Sequence, residues 1–295
     1  MKILITGGTG QLGSECARVF DGKHQVWAPG SHDLDITGHR AVTQALSRFA
    51  PDAVVNCAAV TNVDACETDR ERAWLVNVVG PRILAAACRK RGCLLVHLST
   101  NYLFDGAKPI PEGYAEDDRP APISYYGMTK LESERAVAAE TDEHVIVRTA
   151  WLYGIRGQNF LKKILSRIAA GPEEDIPVVQ DLWGSPTWSY RLAVQMERLM
   201  TSPHRGIFHA TSAGVCTWYE LACFFLDRMG VAHRIAPCSR SRYAATAARP
   251  LNGILENRRL KTCGLHVMPS WQDDVSEFAQ RFRQELLREA GLTAP

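Results

Sequence analysis

The chain has 295 residues, 46% of them hydrophobic and 22% charged, with a formal net charge of +2 at pH 7. That is apolar material for one large α/β domain or two modest ones, and the basic residues are too few and too scattered to make nucleic acid an expected partner. The nine cysteines are odd in number and form no CxxC pair, so neither a disulfide framework nor a zinc site is expected, and with no leader pattern and no apolar run near the ~20 residues of a membrane span the reading is a cytoplasmic protein with reduced thiols and no membrane partner.

Short apolar runs alternate with helical patterns from the start. Lys2–Thr6 reads as a strand, TGGTGQLG (6–13) as a glycine loop, and the residues after it as a helix to about Phe20. Gln25–Ala28 is a second strand, Thr43–Arg48 lies in a helix, and Ala53–Ala58 is a third strand. One long helix is expected over Arg70–Lys90, a fourth strand over Leu94–Ser99, a helix capped by Ser124 and running to about Glu140, and a fifth strand over His144–Thr149. The strands are continuous apolar runs, as in a parallel sheet covered on both faces. Repeated strand–helix units predict an α/β fold, a doubly wound parallel sheet of the Rossmann type with a smaller C-terminal substrate-binding portion. The dinucleotide-binding unit is expected over 1–150 and the substrate portion mainly over 151–295, with the chain returning to the sheet around 181–210, where Gly206–Ala210 reads as one more strand. Residues 171–187 and 236–253 read as irregular.

Two stretches carry chemistry. Gly7, Gly10 and Gly13 repeat every third residue between a strand and a helix, where a pyrophosphate needs a tight turn, a close backbone and a free helix N-terminus. The end of the second strand, Trp27-Ala28-Pro29-Gly30, has no acid to hold a ribose, Asp33 and Asp35 come late, and Ser31 and His32 tolerate a 2′-phosphate. NADP(H) is therefore the preferred cofactor and NAD(H) the alternative. The second stretch is SYYGMTK, in which Tyr126 and Lys130 lie one helical turn apart on one face. An ammonium beside a phenol favours the phenolate and lowers a pKa of about 10. Alone the pair is weak, since eight tyrosines and eight lysines yield roughly 0.2 such pairs by chance. Ser99-Thr100, ending the fourth strand at the carboxyl edge of the sheet, supplies the hydroxyl that would complete a carbonyl-reduction site. The nine histidines have no ligand spacing, and the acids around 114–118 read as a solvated loop over the site. Trp183 and Trp188 suit either a sugar site or core packing.

Further stretches make a resemblance specific: LDIT (34–37), PDAVVNCAAVTNVDACE (51–67), NVVGP (77–81), LSTNYLFDG (98–106), VRTAWLYG (147–154), GSPT (184–187) and AARPLN (247–252). Over nearly its whole length the chain resembles the extended short-chain dehydrogenases, and among them the dTDP-4-dehydrorhamnose reductase family. The resemblance implies a catalytic triad of Thr100, Tyr126 and Lys130. It implies pyrophosphate contacts from Gly10, Gln11 and Leu12, an adenine neighbourhood at Asp35 and Ile36, and a nicotinamide side at Ala58, Ala59, Val60 and Thr61. Thr61, Thr100, Asn101 and Trp151 would meet the hexose, Arg249 the nucleotide diphosphate, and Glu116 would support the site. The implied substrate is a nucleotide-linked 4-keto-6-deoxyhexose and the implied product dTDP-L-rhamnose, a precursor of surface polysaccharide, and the resemblance also allows a homodimer. Two positions depart from the family pattern: Asn101 stands where Asp is usual and Leu182 where Gln is usual, which bears on the sugar more than on the chemistry. A rival reading is a regulatory subunit like the beta subunit of methionine adenosyltransferase, which keeps the fold and binds NADP without turnover. The intact triad favours an enzyme.

Overall fold

Five strands from the first half of the chain and one from the second form the central sheet. They are β1 (Lys2–Thr6), β2 (Gln25–Trp27), β3 (Ala53–Asn56), β4 (Leu94–Thr100), β5 (His144–Thr149) and Gly206–His209, in the order β2-β1-β3-β4-β5-(206–209) with every pairing parallel. The computed structural model describes residues 1–171, 174–243 and 245–292. Ile3, Leu4, Ile5, Val54 and Val55 are at most 1% exposed, so the continuous apolar runs are buried on both faces.

The helices that cover the sheet are α1 (Gln11–Phe20), α2 (His39–Phe49), the short α3 (Val63–Thr68) and α4 (Arg70–Trp74), α5 (Gly80–Arg91) and α6 (Tyr125–Glu140). On one face Leu12 and Cys16 of α1 share a cluster with Leu192 and Met196 of the helix Ser189–Met200. On the other, Val42 and Leu46 of α2, Leu84 of α5 and Val137 of α6 pack on Leu4, Val54 and Leu95. The strand order reverses between β1 and β3, and the carboxyl ends of these strands open the crevice where such sheets take ligands. A second core unites the helices Phe160–Ala169, Trp218–Met229 and Trp271–Ala290 around Trp188, Phe225 and Phe278.

Two expectations change. The long helix over Arg70–Lys90 is broken: α4 runs into a π turn, Leu75–Val79, before α5 begins. Pro81 has no N–H for the Asn77 carbonyl, and the Gly80 N–H bonds back to Leu75, one residue further than in an α-helix. The stretches read as irregular hold a parallel ladder, Ile176–Val179 against Ile235–Cys238, while their residues 172, 173 and 244 lie outside the described residues.

Candidate active site

The glycine loop passes from β1 into α1 along a path that side chains would block. Gly7 is left-handed at φ +66°, and a Cβ on Gly13 would stand 2.2 Å from the Gly7 carbonyl oxygen. Gly10 caps α1 without any side-chain hydrogen bond, which leaves the first N–H groups of the helix for an anion. Gln11 follows, its Oε1 accepting from Asn159 at 3.2 Å, and Leu12 and Gly13 pack inward. Asp35 is exposed and occupied locally, accepting from the N–H and hydroxyl of Thr37 at 2.9 and 2.8 Å. Ile36 is buried against Gly80, where a Cβ would come within 2.6 Å of its Cδ1.

The loop after β3 runs beside the glycines. Asn56 Oδ1 accepts from the Ala58 N–H at 3.2 Å, and Asn77 grips Val60 at both ends, accepting from its N–H at 2.8 Å and donating to its carbonyl at 3.0 Å. Asn77 also donates to Thr129 Oγ1 on α6 at 3.1 Å, so one fully buried amide ties the loop carrying Ala58, Ala59, Val60 and Thr61 to the helix of Tyr126. In the sequence Asn77 shows only as the first residue of the NVVGP stretch. Its signal was a polar residue in an apolar helical pattern just before Gly-Pro.

Tyr126 is set by the start of α6. Ser124 accepts from the Gly127 N–H at 3.2 Å, and the Tyr125 N–H donates to Glu67 Oε1 at 2.7 Å. Gly127 lets the helix press on the Tyr102 carbonyl, where a Cβ would stand at 2.2 Å. The Tyr126 ring packs edge-on to Tyr102 at 5.6 Å in a pocket with Cys66 and Ala73. Burial pushes the phenol well above its ordinary range, a hydrogen bond from Thr100 works the other way, and Tyr102 and Cys66 add to the rise. Burial, rather than the Tyr–Lys spacing, sets the direction here: the phenol is raised where the spacing alone led to an expected lowering. Lys130, on the same face, is pulled down to about 8 by burial, against the favourable charges of Glu134 and Cys57. Thr100 ends β4 with its hydroxyl accepting from the Tyr102 N–H at 3.2 Å and reaching Asn101 Oδ1 at 3.4 Å. Ser99 points to the other side of the strand, where its buried hydroxyl has no hydrogen-bond partner.

From Asn101 and Tyr102 a cleft of about 740 Å³ opens toward the second core. Asn101 donates to the Gly253 carbonyl at 3.2 Å. Trp151 lines the cleft in the left-handed region at φ 45°, which a tryptophan holds only under constraint. It stacks on Trp218 at 3.7 Å, and a Cβ on Gly184 would reach within 2.5 Å of its ring. Lys163, Arg167, Arg240 and Arg249 give the far wall a basic character. Arg249 is paired with Asp64 of α3 at 2.6 Å, and Asp64 also accepts from the Ala247 N–H at 2.9 Å. The Arg249 hydrogen bond and that backbone N–H hold the Asp64 carboxyl below its usual range.

Leu182 is buried at the cleft wall, Trp183 lines the cleft and Trp188 lies in the second core. The acids around 114–118 divide: Asp117 is exposed and Asp118 half-buried, but Glu116 is not solvated. Glu116 is buried and fastens its segment to the sheet edge, accepting from the His209 N–H at 3.1 Å and the Arg259 N–H at 3.0 Å, while Asp118 pairs with Lys108 at 2.6 Å. Among the described residues the nine cysteines are free and no cluster suits a metal ion. No helix among them is long and apolar enough to cross a membrane.

The family model for the RmlD substrate binding domain matches residues 1–284. A dTDP-4-keto-6-deoxy-D-glucose reductase of Streptomyces niveus is 41% identical over 277 residues, covering 93% of this chain and 95% of the relative. A dTDP-4-dehydrorhamnose reductase of Streptomyces griseus is 40% identical over 283 residues, covering 93% and 91%. Among solved structures, the dTDP-4-dehydrorhamnose reductase of Bacillus anthracis in complex with NADP superposes with a TM-score of 0.91 at 34% identity, covering 95% of this chain and 99% of that one.

Proposed function

The chain belongs to the RmlD substrate-binding-domain family, that of the dTDP-4-dehydrorhamnose reductases, and from that premise we infer that it is an NADPH-dependent reductase of the C4 keto group of a dTDP-linked 6-deoxyhexose. The observation that carries this reading is the buried set of Thr100, Tyr126 and Lys130 at the carboxyl edge of the sheet, between the uncapped start of α1 and the basic cleft.

The residues fit the cofactor. Gly7, Gly10 and Gly13 leave the space that a pyrophosphate needs, Gln11 and Leu12 flank it, Asp35 and Ile36 border the adenosine side, and Ala58, Ala59, Val60 and Thr61 line the nicotinamide side. NADPH, when bound, supplies the hydride for the C4 carbonyl carbon. Tyr126, held protonated by burial, gives its proton to the carbonyl oxygen as negative charge develops there. Thr100 donates a hydrogen bond to the same oxygen, and the Lys130 ammonium stabilises the phenolate left behind and holds the nicotinamide ribose. Asn101 and Trp151 bound the hexose. Arg249 exchanges Asp64 for the diphosphate, with which a planar guanidinium pairs well.

Two sugars stand close. The product dTDP-L-rhamnose, a precursor of surface polysaccharide, follows from the family. Reduction of dTDP-4-keto-6-deoxy-D-glucose is the second reading, supported by the 41% identity to a reductase of that sugar. NADPH oxidation with each keto sugar, by wild type and Tyr126→Phe, separates them. Turnover with one, lost by about 10³-fold or more in the variant, assigns sugar and acid together. Tight NADPH binding with no turnover on either, and stoichiometric capture of a partner enzyme, would place the chain with the regulatory subunits.

A further inference from the structure

Below Lys130 runs a chain of buried polar groups that the reaction above does not use. The Thr6 hydroxyl, at the end of β1, donates to Asn56 Oδ1 at 2.6 Å, and the same oxygen accepts from the Ala58 N–H at 3.2 Å. Two donors on Oδ1 fix the orientation of the amide, so its NH₂ is the end that meets His97 Nδ1 at 3.0 Å. A ring nitrogen that accepts carries no proton, and the proton of the neutral imidazole therefore sits on Nε2. There Ser133 Oγ lies at 2.9 Å, and because the Ser133 hydroxyl donates to the Lys130 carbonyl at 2.8 Å, its oxygen is left to accept from His97. Lys130 Nζ lies 3.4 Å from the same Nε2, so an ammonium faces an N–H. Thr6, Asn56, His97 and Ser133 are at most 1% exposed, which gives the ring no room to turn over.

A histidine buried this deeply is usually a satisfied core residue. This one is satisfied in a way that leaves nothing for the lysine beside it. We propose that His97 is a positioning residue for Lys130: by presenting a donor where an acceptor would draw the ammonium into the core, it turns the lysine's N–H groups to the cleft, toward Tyr126 and the nicotinamide ribose. The other groups that face this pair are few. Glu134 attracts the ammonium from the next turn of α6, but both its oxygens are engaged by Arg148 at 2.9 and 2.7 Å. Cys57 faces Lys130 from the end of β3, and His144 faces His97 from β5. Burial, and then the Lys130 charge, hold the imidazole far below its ordinary range, which keeps it neutral at working pH.

The proposal rests on the reductase reading, but its test does not need turnover. In the wild-type protein, ¹⁵N spectra of the imidazoles are expected to give His97 as an Nε2–H tautomer that does not titrate from about pH 5 to about pH 9. A proton on Nδ1, or an imidazolium within that range, would overturn it. Asn56→Asp keeps one oxygen for Thr6 and Ala58 but offers Nδ1 an acceptor in place of the NH₂, which moves the imidazole proton to Nδ1 and leaves Nε2 an acceptor within reach of Nζ. The Lys130 titration, read from ¹³C-labelled lysine side chains, is then expected to rise by about one unit, with kcat down about tenfold and the alkaline limb of the rate profile moved with it. A folded Asn56→Asp whose Lys130 titrates as in wild type would sink the idea. Should that variant fail to fold, His97→Gln decides: held by the same Asn56 and Ser133, its NH₂ takes the place of the ring N–H before Nζ. The kcat and the Lys130 titration should then stay near wild type, and a Lys130 titration moved by about one unit would overturn the proposal.

Discussion

Lys130 sits at the edge of its charged range. With its pKa pulled down to about 8, the ammonium that the reaction requires is complete only below that pH. The expected outcome is a kcat/KM for the keto sugar that declines above about pH 8, measured as NADPH oxidation against pH. Folding responds with the opposite sign. The folded chain holds this proton less tightly than the unfolded one, so the cost of a buried ammonium is present in full below about pH 8 and is relieved as pH rises from there to the ordinary 10.5. Asn77 offers a second test at this scale. Removing its amide in Asn77→Ala leaves the Val60 N–H unpaired in a half-buried loop and its carbonyl with only the weak Cys66 thiol donor. The expected loss is about 2–3 kcal/mol of stability, read by denaturant unfolding, with a KM for NADPH raised several-fold because the nicotinamide wall is freed.

At the scale of single elements, α6 owes its placement to contact more than to propensity. Alanine is the better helix former by about 1 kcal/mol, which on its own would make Gly127→Ala stabilising. The added Cβ would stand 2.2 Å from the Tyr102 carbonyl oxygen, a backbone atom that cannot step aside. Overpacking of that kind costs about 1–3 kcal/mol, so the variant should unfold earlier and, with Tyr126 displaced, turn over at least about tenfold more slowly. A variant as active and stable as wild type would mean that α6 is free to slide. The strands and most helices of the first half were legible because apolar runs and glycine turns are local signals. The π turn was not, because it comes from a proline lacking a donor inside a pattern that otherwise reads as one helix. The Tyr126–Lys130 pair and the glycine loop were legible by spacing, and Thr100 by its place at the end of β4. The Asp64–Arg249 pair and the His97 relay were not, since they join residues 185 and 33 positions apart in sequence. Glu116 was misread for the same reason: an acidic stretch looks solvated until its partners, His209 and Arg259, are brought across by the fold.

For the whole molecule, the sheet is a joint product of both halves. Arg148 on β5 is held by Glu134 and reaches His209 Nε2 at 3.3 Å, and Phe208 and Ala210 lie in the same cluster as Val145 and Val147. Residues 1–150 alone would expose the face that Leu192, Met196 and Phe208 cover, and they are expected to give broad, non-cooperative unfolding, whereas the full chain with NADPH melts in one step at a raised temperature. The strand Gly206–His209, which closes the sheet beside β5, carries a consequence for biosynthesis. The chain emerges from its N-terminus forward, and Phe160–Ala169 of the second core is made before the last strand of the first. The sheet cannot be finished until this first helix of the second core has been made. An open edge at β5 must wait for roughly sixty more residues, about 3–12 s of synthesis, and during that time the unpaired strand is what a chaperone has reason to cover.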